Sequence, residues 1–132
     1  MAQLDYVYLA DYATVQDGKI TAVGASFTHL RSGTLPGQAT IAVAGRLKMS
    51  VGEEPVQLGF TVEGPDAQFR LNFGGSIGPS GDIRPYGPNE DKVGVLFAIN
   101  LQVPLPRTGL YEITVSIDES SARRLAFDVE AA

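Results

Sequence analysis

A chain of 132 residues fits one domain and can bury a core without disulfide or metal staples. It is 44% hydrophobic and 19% charged, which argues against disorder, and it lacks cysteine, which excludes disulfides and thiolate metal sites. The net charge of −5 and the scatter of the ten basic residues point away from nucleic acid and acidic membranes, because clustered Lys and Arg hold both.

The opening Met1-Ala2-Gln3-Leu4-Asp5 has no basic start of a secretory signal, so a cytoplasmic or virion-associated protein is expected. Val7 and Leu9 alternate with Tyr6, Tyr8, Ala10 and Tyr12, a first strand that is apolar on both faces. Asp17-Gly18 then predicts a hairpin with a type I′ turn, since Asp-Gly tolerates positive φ at both central positions. Past it, Ile20 and Ala22 hold one phase and Val23, Ala25 and Phe27 the other, so a bulge is expected near Gly24. His29 falls at the end of that strand, where residues 31–37 read as a loop.

The cleanest alternation follows. Ile41, Val43, Gly45, Leu47 and Met49 face one way, with Arg46 and Lys48 opposite. Val56, Leu58, Phe60 and Val62 repeat the pattern past a turn over residues 50–55 that predicts a hairpin, then Phe69, Leu71 and Phe73 follow a Gly64-Pro65-Asp66 turn. Residues 74–92 depart from it, with five glycines, three prolines and few apolar side chains, and they predict a long loop. Val93, Val95, Phe97, Ile99, Leu101 and Val103 then share one phase against a second phase that is also largely apolar up to Ala98. That strand is read as covered on both faces, hence central, and ended by Pro104 and Pro106. Residues 93–99, the longest apolar run, are too few to cross a bilayer as a helix, which needs about 20.

Tyr111, Ile113, Val115 and Ile117, then Leu125, Phe127 and Val129, complete about eight strands with no helical period between them. The pattern predicts an all-β, antiparallel two-sheet sandwich, taken as one domain over residues 1–132. Gly109-Leu110-Tyr111 at the opening of a late strand matches the tyrosine corner of immunoglobulin-like sandwiches.

Several stretches also carry a family resemblance. Leu9-Ala10-Asp11-Tyr12-Ala13, Asp17-Gly18-Lys19 and Val23-Gly24 open the chain. Ala98-Ile99-Asn100-Leu101, Pro104-Leu105-Pro106, Gly109-x-Tyr111-Glu112, Ser116-Ile117-Asp118 and Ala126-Phe127-Asp128-Val129 close it. In order and spacing they resemble a bacterial family of small proteins, domain of unknown function 6941, with no match seen over residues 31–92. The resemblance implies an immunoglobulin-like sandwich without an assigned activity, so no catalytic residues are carried over.

The residues themselves assign no catalytic, cofactor or metal site. His29, the one histidine, lies near Ser26, Thr28 and Ser32 but in no nucleophile elbow, and reads as a strand-end polar residue. One His and no Cys leave the acid pairs Glu53-Glu54, Glu90-Asp91 and Asp118-Glu119, which suit Ca²⁺ or Mg²⁺ but not Zn²⁺ and read as solvent-facing turns. Gly74-Gly75-Ser76-Ile77-Gly78 lacks the Lys-Ser/Thr pair and helix of a phosphate loop. Asp11 reads as a structural partner of backbone N–H groups or of a basic side chain.

Tyr6, Tyr8 and Tyr12, with Ile83, Arg84 and Tyr86 of the loop, are the candidate partner contacts, against the plainer reading that the tyrosines pack on the core. The expected function is a non-enzymatic protein-binding or structural module that contacts another protein or its own copies. The alternatives are a decoration or accessory subunit of a larger assembly such as a virus particle, and a small-ligand binder or enzyme with a site under residues 74–92.

Overall fold

In the computed structural model the described residues are 1–79, 84–85 and 91–132. Among them the chain forms ten strands: β1 (Gln3–Ala10), β2 (Tyr12–Gln16), β3 (Lys19–Val23), β4 (His29–Ser32), β5 (Gly37–Ser50), β6 (Val56–Glu63), β7 (Arg70–Ile77), β8 (Lys92–Leu105), β9 (Gly109–Ile117) and β10 (Ser120–Ala131). A short 3₁₀ turn, Pro65–Ala67, joins β6 to β7. No helix among the described residues is long and apolar enough to cross a membrane.

Alternation dictates the layers. One phase of each long strand is dominated by Val, Leu, Ile and Phe, so a sheet built from them has one face that must leave water. One sheet has the order β1-β5-β8 and the other β4-β10-β9-β6-β7. Their apolar faces meet in one core that takes Val43 and Leu47 from the first and Val62, Ile113 and Val115 from the second, all fully buried. Phe60 and Phe97 touch across it with ring centres 6.0 Å apart. No polar or charged residue is buried among the described residues.

The strand order is that of an immunoglobulin-like sandwich. β1, β5 and β8 take the places of strands A, B and E, while β6, β9 and β10 take those of C, F and G. β7 extends the second sheet beside β6, and β4 adds an edge beside β10. At the crossing from β8 to β9, the Tyr111 hydroxyl donates to the Arg107 carbonyl at 2.7 Å, which is the tyrosine corner. The Tyr111 ring stacks on Phe127 at 5.4 Å and meets Phe69 at 6.1 Å, and Phe127 meets Phe27 at 5.9 Å.

The hairpin β2–β3 turns through Asp17 and Gly18 at φ 52° and 71°, the type I′ geometry. It lies on the outer face of the β1-β5-β8 sheet. Ala10, Ala42 and Ala44, small enough to admit a close third layer, pack there with Ala13 of β2. Asn100 latches it: its Nδ2 donates to the Ala13 carbonyl at 2.9 Å, and its Oδ1 accepts from the Ala13 N–H at 3.2 Å.

Six expectations change. Residues 50–55 do not close a hairpin: β5 pairs with β1 and β8, while β6 crosses to the other sheet between β7 and β9. The first strand ends at Ala10 and Tyr12 begins β2, because the chain bends at Asp11, whose N–H donates to the Val23 carbonyl at 2.9 Å. Gly24 is no bulge. It lies past the end of β3 at φ +62°, and a Cβ there would fall 2.1 Å from Asp11 Oδ2, so the turn requires glycine. β8 is covered on both faces, but the second cover is the hairpin, and β5 holds the centre of the sheet. Pro104 lies inside β8, which an edge strand tolerates because no neighbour needs its N–H. Finally, the region read as loop from residue 74 is strand as far as Ile77: Gly74 crosses so close to Leu58 that a Cβ would lie 2.8 Å from its carbonyl oxygen.

β4 was not expected, and it introduces the one parallel pair among the described strands, with His29 opposite Asp128 and Arg31 opposite Glu130. A second hairpin turn, Asp118-Glu119, has φ 48° and 70° with no glycine. Its geometry is held from outside: Asp118 N–H donates to the Gln57 carbonyl at 2.8 Å, and Asp118 Oδ1 accepts from Gln57 N–H at 2.9 Å.

Candidate functional site

Strand β1 presents Tyr6 and Tyr8 on the outer face of the three-stranded sheet, two residues apart and therefore on the same side of the pleat. Opposite them on β5 stand Arg46 and Ala44, and beyond on β8 Leu96 and Ala98. The two phenol rings stack nearly parallel, 9° between planes and 6.4 Å between centres. The Arg46 guanidinium lies 5.0 Å from the centre of the Tyr6 ring. A register shift in β1 between Leu4 and Tyr6 leaves Asp5 outside the ladder, and its carboxylate accepts from Arg46 Nε at 2.8 Å. Burial, with Tyr6 beside it, pushes the Tyr8 phenol above its ordinary pKa. Tyr6 stays 36% exposed, enough for a partner to reach the ring.

Among the described residues, Tyr12 does not join the β1 pair. Tyr12 sits on β2, 51% exposed and paired with Val23 across the hairpin. Arg84 is exposed, and Ile83 and Tyr86 lie outside the described residues. Arg46 and Asp5 were missed as members of the tyrosine face. Arg46 belonged legibly to the outer phase of its strand, but nothing local names the strand beside it.

His29 opens β4 at the edge of the other sheet and is exposed. Thr28 Oγ1 lies 3.1 Å from His29 Nδ1, Ser32 Oγ donates to the Thr34 carbonyl at 2.9 Å, and the Ser26 N–H donates to the Leu9 carbonyl. What stands beside His29 is acidic: one donor atom each of His29, Asp128 and Glu130 lie within 4.8 Å of one another. The sequence sets His29 apart from these acids, because residues 31–37 read as loop and carry no signal that pairs them with the last strand. Of the three acid pairs, Asp118 holds a turn, and Glu53 accepts from Ser50 N–H at 2.9 Å, a bond that draws its carboxyl below the usual range. Glu90 lies outside the described residues, and Glu54 and Asp91 are exposed.

The family model described as "Family of unknown function (DUF6941)" matches residues 5–130. The chain belongs to this family. The match takes in residues 31–92, where no resemblance was legible, as well as the opening and closing stretches that carried it. No curated protein matches the chain. Among solved structures, the chain is similar to an immunoglobulin-like protein from Pseudomonas aeruginosa, 15% identical over 98% of this chain and 97% of that one, with a TM-score of 0.47.

Proposed function

We propose that this member of the family is a non-enzymatic protein-binding module that docks a partner protein on the outer face of β1-β5-β8. The observation that carries the reading is the Tyr6–Tyr8 stack with Arg46 set over Tyr6. Tyrosine and arginine are the side chains that most often dominate an interface, because they offer a flat apolar surface together with hydrogen-bond donors. Here the stack and the Asp5 carboxylate hold them in place before any partner arrives, which lowers the entropy lost on docking. A fitting partner supplies a flat or apolar group for the rings. The net charge of −5 opposes the approach of a second copy, so another protein is preferred over self-association. An accessory or decoration subunit of a larger assembly, such as a virus particle, is one setting in which a rigid sandwich docks by one face, an analogy from fold alone.

A small-ligand or enzymatic site under residues 74–92 draws less support. The gap beside the described start of that segment is about 190 Å³, and among the described residues it is lined by Phe60, Phe97, Ile77 and Ile99, with Ser76 the single polar side chain of that lining. Sites for drug-sized ligands run to about 300 Å³ and more, with several converging polar groups.

The test is co-purification from the native host with Tyr6→Ala beside wild type. Wild type is expected in a discrete hetero-complex by light scattering, with the variant weakened about thirtyfold, the size of a 2 kcal/mol hot spot. Its melting temperature should hold within a few degrees, since Tyr6 is partly exposed. A complex that Tyr6→Ala leaves intact, or a wild-type mass of two copies, overturns the reading.

A further inference from the structure

On the sheet opposite to the tyrosine face, we infer that His29, Asp128 and Glu130 form a binding site for a divalent transition-metal ion, Zn²⁺ being the best fit. Three features carry it. The first is placement by backbone. Asp128 and Glu130 are two apart on β10 and so share one side of the pleat, and His29 stands directly opposite Asp128 across the parallel ladder. The Asp128 N–H also donates to the Thr28 carbonyl at 2.8 Å, which fastens the two strands beside the cluster.

The second is spacing. Donor atoms of the three side chains lie within 4.8 Å of one another, and small side-chain rotations bring such a set onto one ion with bonds of about 2.0–2.2 Å. The third is the donor chemistry. Thr28 Oγ1 sits 3.1 Å from His29 Nδ1, within reach to accept from Nδ1–H in the tautomer whose Nε2 keeps the lone pair a metal needs. One imidazole nitrogen with two carboxylate oxygens suits Zn²⁺ better than Ca²⁺ or Mg²⁺, which favour oxygen donors alone. Because His29 is exposed, the remaining coordination position faces solvent, open to water or to a donor from a partner. Arg31 Nε, 3.8 Å from Glu130 Oε2, is the cation an incoming ion displaces.

The test is calorimetric titration of ZnCl₂ into the chelator-washed full chain, with Co²⁺ absorption as a spectroscopic probe. The expected result is one ion per chain and a rise in melting temperature, since the ion ties β4 to β10 and binds only the folded chain. His29→Gln should weaken binding by about tenfold or more, as loss of a ligand does. Arg31→Ala should tighten it several-fold by removing the competing cation. Folding of each variant is checked by circular dichroism in chelator. Failure of wild type to take up Zn²⁺ at about 0.1 mM, uptake unchanged by His29→Gln, or equal preference for Ca²⁺ would each overturn the assignment, given the donor preferences of these ions.

Discussion

Tyr111 does two jobs at once. Its ring is fully buried between Phe69 and Phe127, and its hydroxyl ties the crossing between sheets to the Arg107 carbonyl. Tyr111→Phe keeps the ring and removes the donor. We expect a loss of about 1–2 kcal/mol in urea unfolding, the range for a part-buried hydrogen bond whose acceptor is left unmatched. Burial also holds the Tyr111 phenol above its ordinary pKa of 10.0. A raised folded-state pKa contributes stability that is present below pH 10 and lost as pH rises through the higher folded value. The stability gap between wild type and Tyr111→Phe should therefore narrow above pH 10, and a gap constant across that range would contradict the burial account.

At the scale of elements, the hairpin β2–β3 is the piece that depends most on others. Two strands of five residues are marginal alone. Their stability comes from the alanine layer beneath and from the paired bonds of Asn100 to Ala13. Asn100→Ala removes both bonds, about 1 kcal/mol each. Amide exchange in β2 and β3 should then quicken by roughly tenfold or more while β5 and β9 keep their protection, because local openings cost less than global unfolding. Unchanged protection at Ala13 and Ala22 would show that the alanine contacts suffice.

The whole molecule is closed by β10, which lies between β9 and β4 and brings Phe127 and Val129 into the core. Removing residues 126–132 takes away the ladder to β4 and both of those side chains. Loss of a buried Phe alone costs about 3–5 kcal/mol, against a total stability of about 5–15 for a domain of this kind. The truncated chain should therefore show no cooperative thermal transition, and a sharp melt near the wild-type temperature would show that the two sheets close without β10.

Much of the scaffold was legible because its signals are local. The pleat sends successive side chains to opposite faces, so Ile41, Val43 and Leu47, or Tyr111, Ile113 and Val115, declare their inward side without any neighbour. Asp17-Gly18 declares its turn through the φ angles it tolerates, and Gly109-Leu110-Tyr111 its corner. The candidate sites were legible only in part. Tyr6 and Tyr8 could be put on one face, but not beside Arg46, and His29 could be put at a strand's end, but not beside Asp128 and Glu130. β4, at four residues, is too short for alternation to show, and Gly74 and Gly75 hid the end of β7. Whether β8 lay at a centre or an edge also depended on which element covered its outer face. Which way a side chain points is set by its own residue's backbone, whereas which strand lies alongside is set by closure of the whole chain, and each contact surface proposed for this protein joins strands that only that closure brings together.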